Sequence, residues 1–130
     1  MIPYAGGTRA PAGARIRAMI VVTARVAVSE QQRERFISVA SEMCARSREE
    51  NGCRGYRVYA DLEQPDRYVF VEEWDDEQAL QEHFGRPHTR TFLADLAGLL
   101  AAPADALFHT VASSRRLDPQ SGLVPVENRS

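Results

Sequence analysis

Four consecutive residues, Tyr68, Val69, Phe70 and Val71, are apolar in a run that reads Arg-Tyr-Val-Phe-Val-Glu-Glu-Trp from Arg67 to Trp74. Successive side chains of a strand point to opposite faces, so Tyr68 and Phe70 line one face and Val69 and Val71 the other. A strand of this kind belongs to a sheet that is covered on both sides. The rest of the chain must therefore supply one cover and leave an apolar face for the second.

The cover within the chain is helical. From Met19 to Val28, residues Ile20, Val22, Ala24, Val26 and Val28 share one parity and predict a first strand ended by Ser29. Ser29 with Gln32 three residues on has the spacing of a capping box, and Phe36, Ile37, Ala40, Met43, Cys44 and Ser47 recur on one helical face to about Glu50. Asn51-Gly52 offers the left-handed residue that closes a helix. Arg54–Ala60 and Arg67–Trp74 then form a hairpin around the Asp61–Asp66 turn. Asp75 or Asp76 can cap a second helix carrying Ala79, Leu80, His83 and Phe84, which breaks at Gly85, restarts at Pro87 and continues through Phe92, Leu93, Leu96, Leu99 and Leu100. A last strand spans Ala106–Val111.

The order βαββαβ predicts an α+β domain, a ferredoxin-like four-stranded antiparallel sheet with both helices on one face. Its other face, apolar through Val69 and Val71, would stay exposed in a monomer, so a homodimer joined sheet to sheet is expected. Residues 18–112 make this domain. Residues 1–17 and 113–130, turn-rich and without periodicity, read as tails.

Composition removes several function classes. Sixteen Lys and Arg against eighteen Asp and Glu, a net charge of −2 and a pI near 5.9 give no basic field for nucleic acid. No apolar run is long enough to span a bilayer; the longest, from Met19 to Ala24, meets Arg25. Met1–Arg17 lacks the order of a secretory signal, so a cytoplasmic location is the default expectation. Cys44 and Cys53 are then free thiols, the first apolar filler on the helix stripe.

Chemistry concentrates between Glu49 and Trp74. Tyr56, Tyr59 and Trp74 with Glu72 and Glu73 stand on adjacent strands, where aromatics with polar tips suit a pocket that grips and orients a flat organic molecule. Tyr56 and Tyr59 differ in parity, so at most one faces the helices. One of Glu72 and Glu73 must enter a covered layer, where Arg57 or Arg67 is the expected counter-ion. His83 falls on the apolar helical face and is the best candidate base near neutral pH, or else a structural histidine at the helix break. His88, in the turn after Pro87, lines a cavity mouth or caps the surface. The two histidines are five apart, not the four of a zinc-binding helix, so no metal site is expected; His109 is read as structural.

Phe36, the stretch Glu50-x-Gly52-Cys53-x-x-Tyr56, the strand end Glu72-x-Trp74, His83, and His88 before Phe92 together resemble the antibiotic biosynthesis monooxygenase family, over Met19–Val111. The resemblance implies a dimeric α+β barrel, and an enzyme that oxidises a phenolic or quinol substrate with molecular oxygen using neither metal nor flavin. Such chemistry needs a substrate anion as reductant, and hence a base and hydrogen-bond donors in a dry pocket. On that basis His83, Trp74 and Tyr56 are the expected catalytic residues, and Tyr59, Asn51, His88, Phe36 and Phe92 the substrate contacts, in a chamber between helices and sheet. The family's diversity leaves two alternatives: a haem-binding and haem-degrading protein with a histidine axial ligand, or a non-catalytic ligand-binding dimer.

Overall fold

The computed structural model describes residues 17–126. All of the expected N-terminal tail except Arg17, and the last four residues of the C-terminal one, lie outside the described residues. Strand β1 (Ile20–Ala27) is followed by helix α1 (Arg33–Ser47), strands β2 (Cys53–Ala60) and β3 (Arg67–Trp74), helices α2 (Glu77–Phe84) and α3 (Pro87–Ala97), and strand β4 (Asp105–Thr110). The strands pair antiparallel in the order β2-β3-β1-β4, the ferredoxin-like topology expected from the element order.

Register assigns the faces. Val22 stands opposite Glu72 and Ala24 opposite Phe70, while Tyr56 stands opposite Glu72 from the other side. Ile20, Val22, Val26, Tyr56, Phe70 and Trp74 are thereby buried under Phe36, Met43, Leu80, Phe92 and Leu96 of the helices. The other face carries Val21, Thr23, Tyr59, Val69, Val71 and Leu107, and Tyr59 and Leu107 are about half exposed on it. β4 is exposed along its whole length.

Local signals mostly do what their chemistry dictates. Asp76 caps α2, its Oδ1 accepting the Ala79 N–H at 2.9 Å, and Pro87 opens α3 after an extended Arg86. Gly52 adopts φ +84°, and a Cβ placed there would lie 2.5 Å from the Ala79 Cβ, so both conformation and space demand glycine. The capping box at Ser29 does not form. Glu30–Gln32 make a single tight 3-10 turn with no side-chain bond from Ser29, and α1 begins only at Arg33. That helix also ends at Ser47, three residues before the expected Glu50, which places Glu50 in the turn leading to β2.

The segment expected as a C-terminal tail contains a second hairpin, β5 (Arg115–Asp118) and β6 (Gly122–Pro125), forming a separate two-stranded sheet. Asp118 accepts the N–H of Gln120 at 2.8 Å and Gly122 sits at φ +94°, so the polar residues read as loop are the tight turn of the hairpin. Leu117 and Leu123 face each other across it, both largely exposed.

Candidate active site

The turn after α1 carries the centre of the site. Glu50 Oε2 lies 2.8 Å from His83 Nδ1 and 2.7 Å from His88 Nε2, joining three residues separated by 33 and 38 positions. The Glu50 side chain is 6% exposed, His83 3% and His88 19%, so the cluster reaches solvent through His88. A carboxylate only accepts hydrogen bonds, which turns Nδ1–H of His83 and Nε2–H of His88 toward it and leaves the opposite nitrogen of each ring as an acceptor. Burial holds the His83 imidazole below its ordinary pKa, against the upward pull of Glu50, and so favours the neutral ring. Arg86 Nε stands 3.7 Å from the second Glu50 oxygen and supplies the nearest positive charge.

Behind this cluster lies a second, fully buried one. Trp74 donates its indole N–H to Glu72 Oε1 at 3.0 Å, and the Tyr56 hydroxyl approaches the same carboxyl. The Trp74 ring centroid is 4.6 Å from that of His83, and Tyr56 is 5.5 Å from it. Glu72 lacks the arginine expected for it. Arg57 stands opposite Val71 and Arg67 opposite Ala27, so both arginines point to the open face while Glu72 points to the helices, and parity keeps them apart. Burial without a cation drives the Glu72 pKa up to about 7, moderated by the bonds from Trp74 and Tyr56. The same burial, with Glu72 adding to it, pushes the Tyr56 phenol well above its usual range.

These positions correct the expected chamber between helices and sheet. Its volume is occupied by Phe36, Tyr56, Phe70, Trp74, His83 and Phe92, whose rings stack edge to face or tilted. Trp74 is fully buried, and its N–H is committed to Glu72 rather than free for a guest. Phe36 is core, packed on Tyr68 and Phe70. Tyr59 lies on the open face, remote from the histidines by register.

Open space instead adjoins His88. One cavity of about 330 Å³ runs between α1 and α3, with Val39, Met43 and Phe92 on its apolar wall. A second, of about 480 Å³, is lined by Glu50, Asn51 and Arg86. Both include Arg46, Pro87 and His88, so His88 stands where an apolar groove meets a polar one. Asn51, His88 and Phe92 thus line these cavities, whereas Tyr56, Trp74 and His83 line neither. Glu50 is the member of the cluster that periodicity hides. Its position at a helix end gives no hint of partners far along the chain, and only its place in the Glu50-x-Gly52 motif marks it.

Comparison with known proteins agrees with this frame. The profile of the antibiotic biosynthesis monooxygenase family matches residues 19–95. The chain is 34% identical over 89 residues, 68% of its length and 94% of the relative's, to the Bacillus subtilis protein named "Putative monooxygenase YcnE". It is 32% identical over 98 residues, 75% of its length and 67% of the relative's, to the uncharacterized Synechocystis protein sll1783. Among solved structures, Rv0793 from Mycobacterium tuberculosis superposes with a TM-score of 0.71 at 26% identity, covering 75% of this chain and 98% of that one. A structure described as "Putative antibiotic biosynthesis monooxygenase from Nitrosomonas europaea" shares the fold, with a TM-score of 0.70 at 18% identity over 75% of this chain and 94% of its own. From its first strand to its third helix, this chain belongs to the antibiotic biosynthesis monooxygenase family.

Proposed function

We propose that the protein is a monooxygenase that deprotonates a small phenolic or quinol-type substrate and lets oxygen react with the resulting anion, without metal or organic cofactor. The observation that carries this reading is the position of His88, oriented by Glu50 and shared between the two cavities. The aromatic body of a substrate fits against Val39, Met43 and Phe92, and its hydroxyl turns toward His88, Asn51 and the cations Arg46 and Arg86. His88, its Nε2–H held by Glu50, takes the phenol proton on Nδ1, and the arginines stabilise the phenolate. The phenolate passes one electron to oxygen, and the superoxide and substrate radical recombine as a hydroperoxide on the ring carbon. Loss of water leaves a quinone carbonyl: one oxygen atom stays on carbon, the other leaves as water, and the substrate supplies all four electrons.

His83 acts behind His88 as a positioning residue, since it fixes Glu50 from the buried side. Trp74 and Tyr56 act one layer further in, by holding Glu72 and packing against His83. This reading keeps the expected base function but moves it from the buried histidine to the accessible one.

The working unit in this reading is a homodimer formed through the open sheet face, where Val21, Val69, Val71 and Leu107 find their cover. Among the described residues no helix is long and apolar enough to cross a membrane, which fits a small-molecule enzyme. The test is oxygen consumption by chelator-treated protein on a panel of quinols, anthrones and phenols, comparing the wild type with His88→Gln. Turnover that the variant lacks supports the reading; a panel without turnover, or a variant as active as the parent, overturns it.

A further inference from the structure

We propose that Glu50, His83 and His88 form a binding site for a divalent transition-metal ion. Their donor atoms, one carboxylate oxygen and two imidazole nitrogens, all lie within 4.8 Å of one another. Two neutral nitrogens and one anionic oxygen suit zinc, cobalt, nickel, copper or ferrous ions, and are a poor set for magnesium or calcium, which take oxygen ligands. The helical spacing of the two histidines argued against a metal because it considered α2 and α3 alone. The turn after α1 supplies the third ligand from outside that pattern.

Metal binding would move all three donor atoms. Nitrogen and oxygen ligands of zinc sit about 2.0–2.2 Å from the ion, which sets neighbouring ligand atoms of a tetrahedron about 3.3 Å apart. The separations of 2.8 and 2.7 Å from Glu50 therefore open by roughly half an ångström, and the two histidine nitrogens, up to 4.8 Å apart, close toward that same spacing to admit an ion. Two of the three ligands stand where such movement is easy, Glu50 in a turn and His88 in the first turn of α3. His83 is held by packing against Trp74, with ring centroids 4.6 Å apart, while the Thr89 hydroxyl, 3.3 Å from Nδ1, would give that nitrogen up to the ion. The cavity of about 480 Å³ that Glu50 and His88 line adjoins the cluster and leaves room for water or a ligand. One feature opposes binding: the Arg86 guanidinium, 3.7 Å from the free Glu50 oxygen and itself half exposed.

The proposal stands on the donor geometry and does not rest on the oxygenation reading. The two are alternative states of one cluster, because an ion on His88 Nε2 leaves the ring proton on Nδ1, the nitrogen that would act as base. Metal binding would then silence the proton chemistry rather than assist it.

The experiment uses the untagged full chain, stripped with chelator. Zinc is titrated by calorimetry, and copper or cobalt by quenching of Trp74, the chain's single tryptophan, whose ring lies 4.6 Å from His83. The expected result is one ion per chain bound at micromolar concentration or tighter. His88→Gln and Glu50→Gln should each weaken it at least about tenfold, in line with the weight of individual ligands in such sites. Arg86→Gln should strengthen it several-fold, and His109→Gln should leave it unchanged. Circular dichroism checks folding; if Glu50→Gln does not fold, the partly exposed His88→Gln decides alone. No binding by the wild type below about 100 µM, which corresponds to roughly 5.5 kcal/mol, overturns the proposal, as does undiminished binding by His88→Gln.

Discussion

Trp74 and Glu72 sit two residues apart on the helix-facing side of β3, and the indole N–H of the first donates to the carboxyl of the second at 3.0 Å. The bond gives a buried acid a neutral partner in place of a cation; burial raises the pKa of the acid to about 7 although the indole donor pulls the other way. A carboxyl whose pKa is raised on folding binds its proton more tightly in the native state than in the unfolded chain. Its stabilising effect is complete below the unfolded value of 4.5 and is lost as pH climbs through about 7. The full span corresponds to about 3 kcal/mol, reduced by whatever solvent reaches the site. His83, with a lowered pKa, works in the opposite direction below its unfolded value of 6.5. The comparison of wild type with Glu72→Gln isolates the acid: thermal melts from pH 5 to 8 should show the variant gaining on the parent as pH rises. A constant difference between the two across that range would place the Glu72 pKa in its ordinary range.

Removing the indole donor should raise the Glu72 pKa further, because the bond from Trp74 is the largest influence holding it down. Trp74→Phe also leaves a cavity beside His83 and Tyr56, so it is expected to cost about 2–4 kcal/mol in urea denaturation. The pH dependence of that loss separates the two effects, since the cavity contribution does not titrate.

Gly52→Ala should destabilise the fold by about 2–4 kcal/mol, combining a positive φ with a 2.5 Å approach to the Ala79 Cβ. Adding Ala79→Gly should recover the steric part and leave the backbone part. Equal stability of the single and double variants in urea would mean that the backbone conformation alone is responsible. Because Glu50 lies two residues upstream, the single variant should also lose activity on any substrate that the wild type oxidises.

Glu50→Gln keeps a hydrogen-bond acceptor but removes the charge that holds both imidazoles in one tautomer. In the proposed enzyme, kcat should fall by roughly 10²–10⁴-fold with a smaller change in KM. Steady-state oxygen consumption measures this directly. A change confined to KM would assign Glu50 to substrate binding instead.

Val71 stands at the centre of the open face, between Thr23 on β1 and Arg57 on β2. Val71→Arg would bury a cation in the proposed dimer interface with a like charge, Arg57, directly opposite on β2, at a penalty of several kcal/mol and hence at least a 10²-fold weaker dimer. Light scattering after size exclusion should show a dimer for the wild type and a monomer for the variant. Identical masses for the two proteins would remove this face as the interface.

The order of elements was legible in the sequence because it depends on local chemistry. Alternation marks β1 and β4, a run apolar on both faces marks β3, Asp76 and Pro87 open the two later helices, and Gly52 supplies the one backbone conformation that the turn after α1 requires. Parity likewise determined that Tyr56 and Tyr59 separate, and that one of Glu72 and Glu73 is buried. What tertiary structure alone decided is which polar groups meet. Arg57 and Arg67 are near Glu72 along the hairpin yet excluded from it by the strand pleat, while Glu50, His83 and His88 are far apart in the chain and meet at hydrogen-bond distance. Periodicity tells which face a side chain takes. It carries no information on how closely helices and sheet pack against each other, and the burial of Phe36, Trp74 and Phe92 fills the expected chamber while open space lies beside His88 instead.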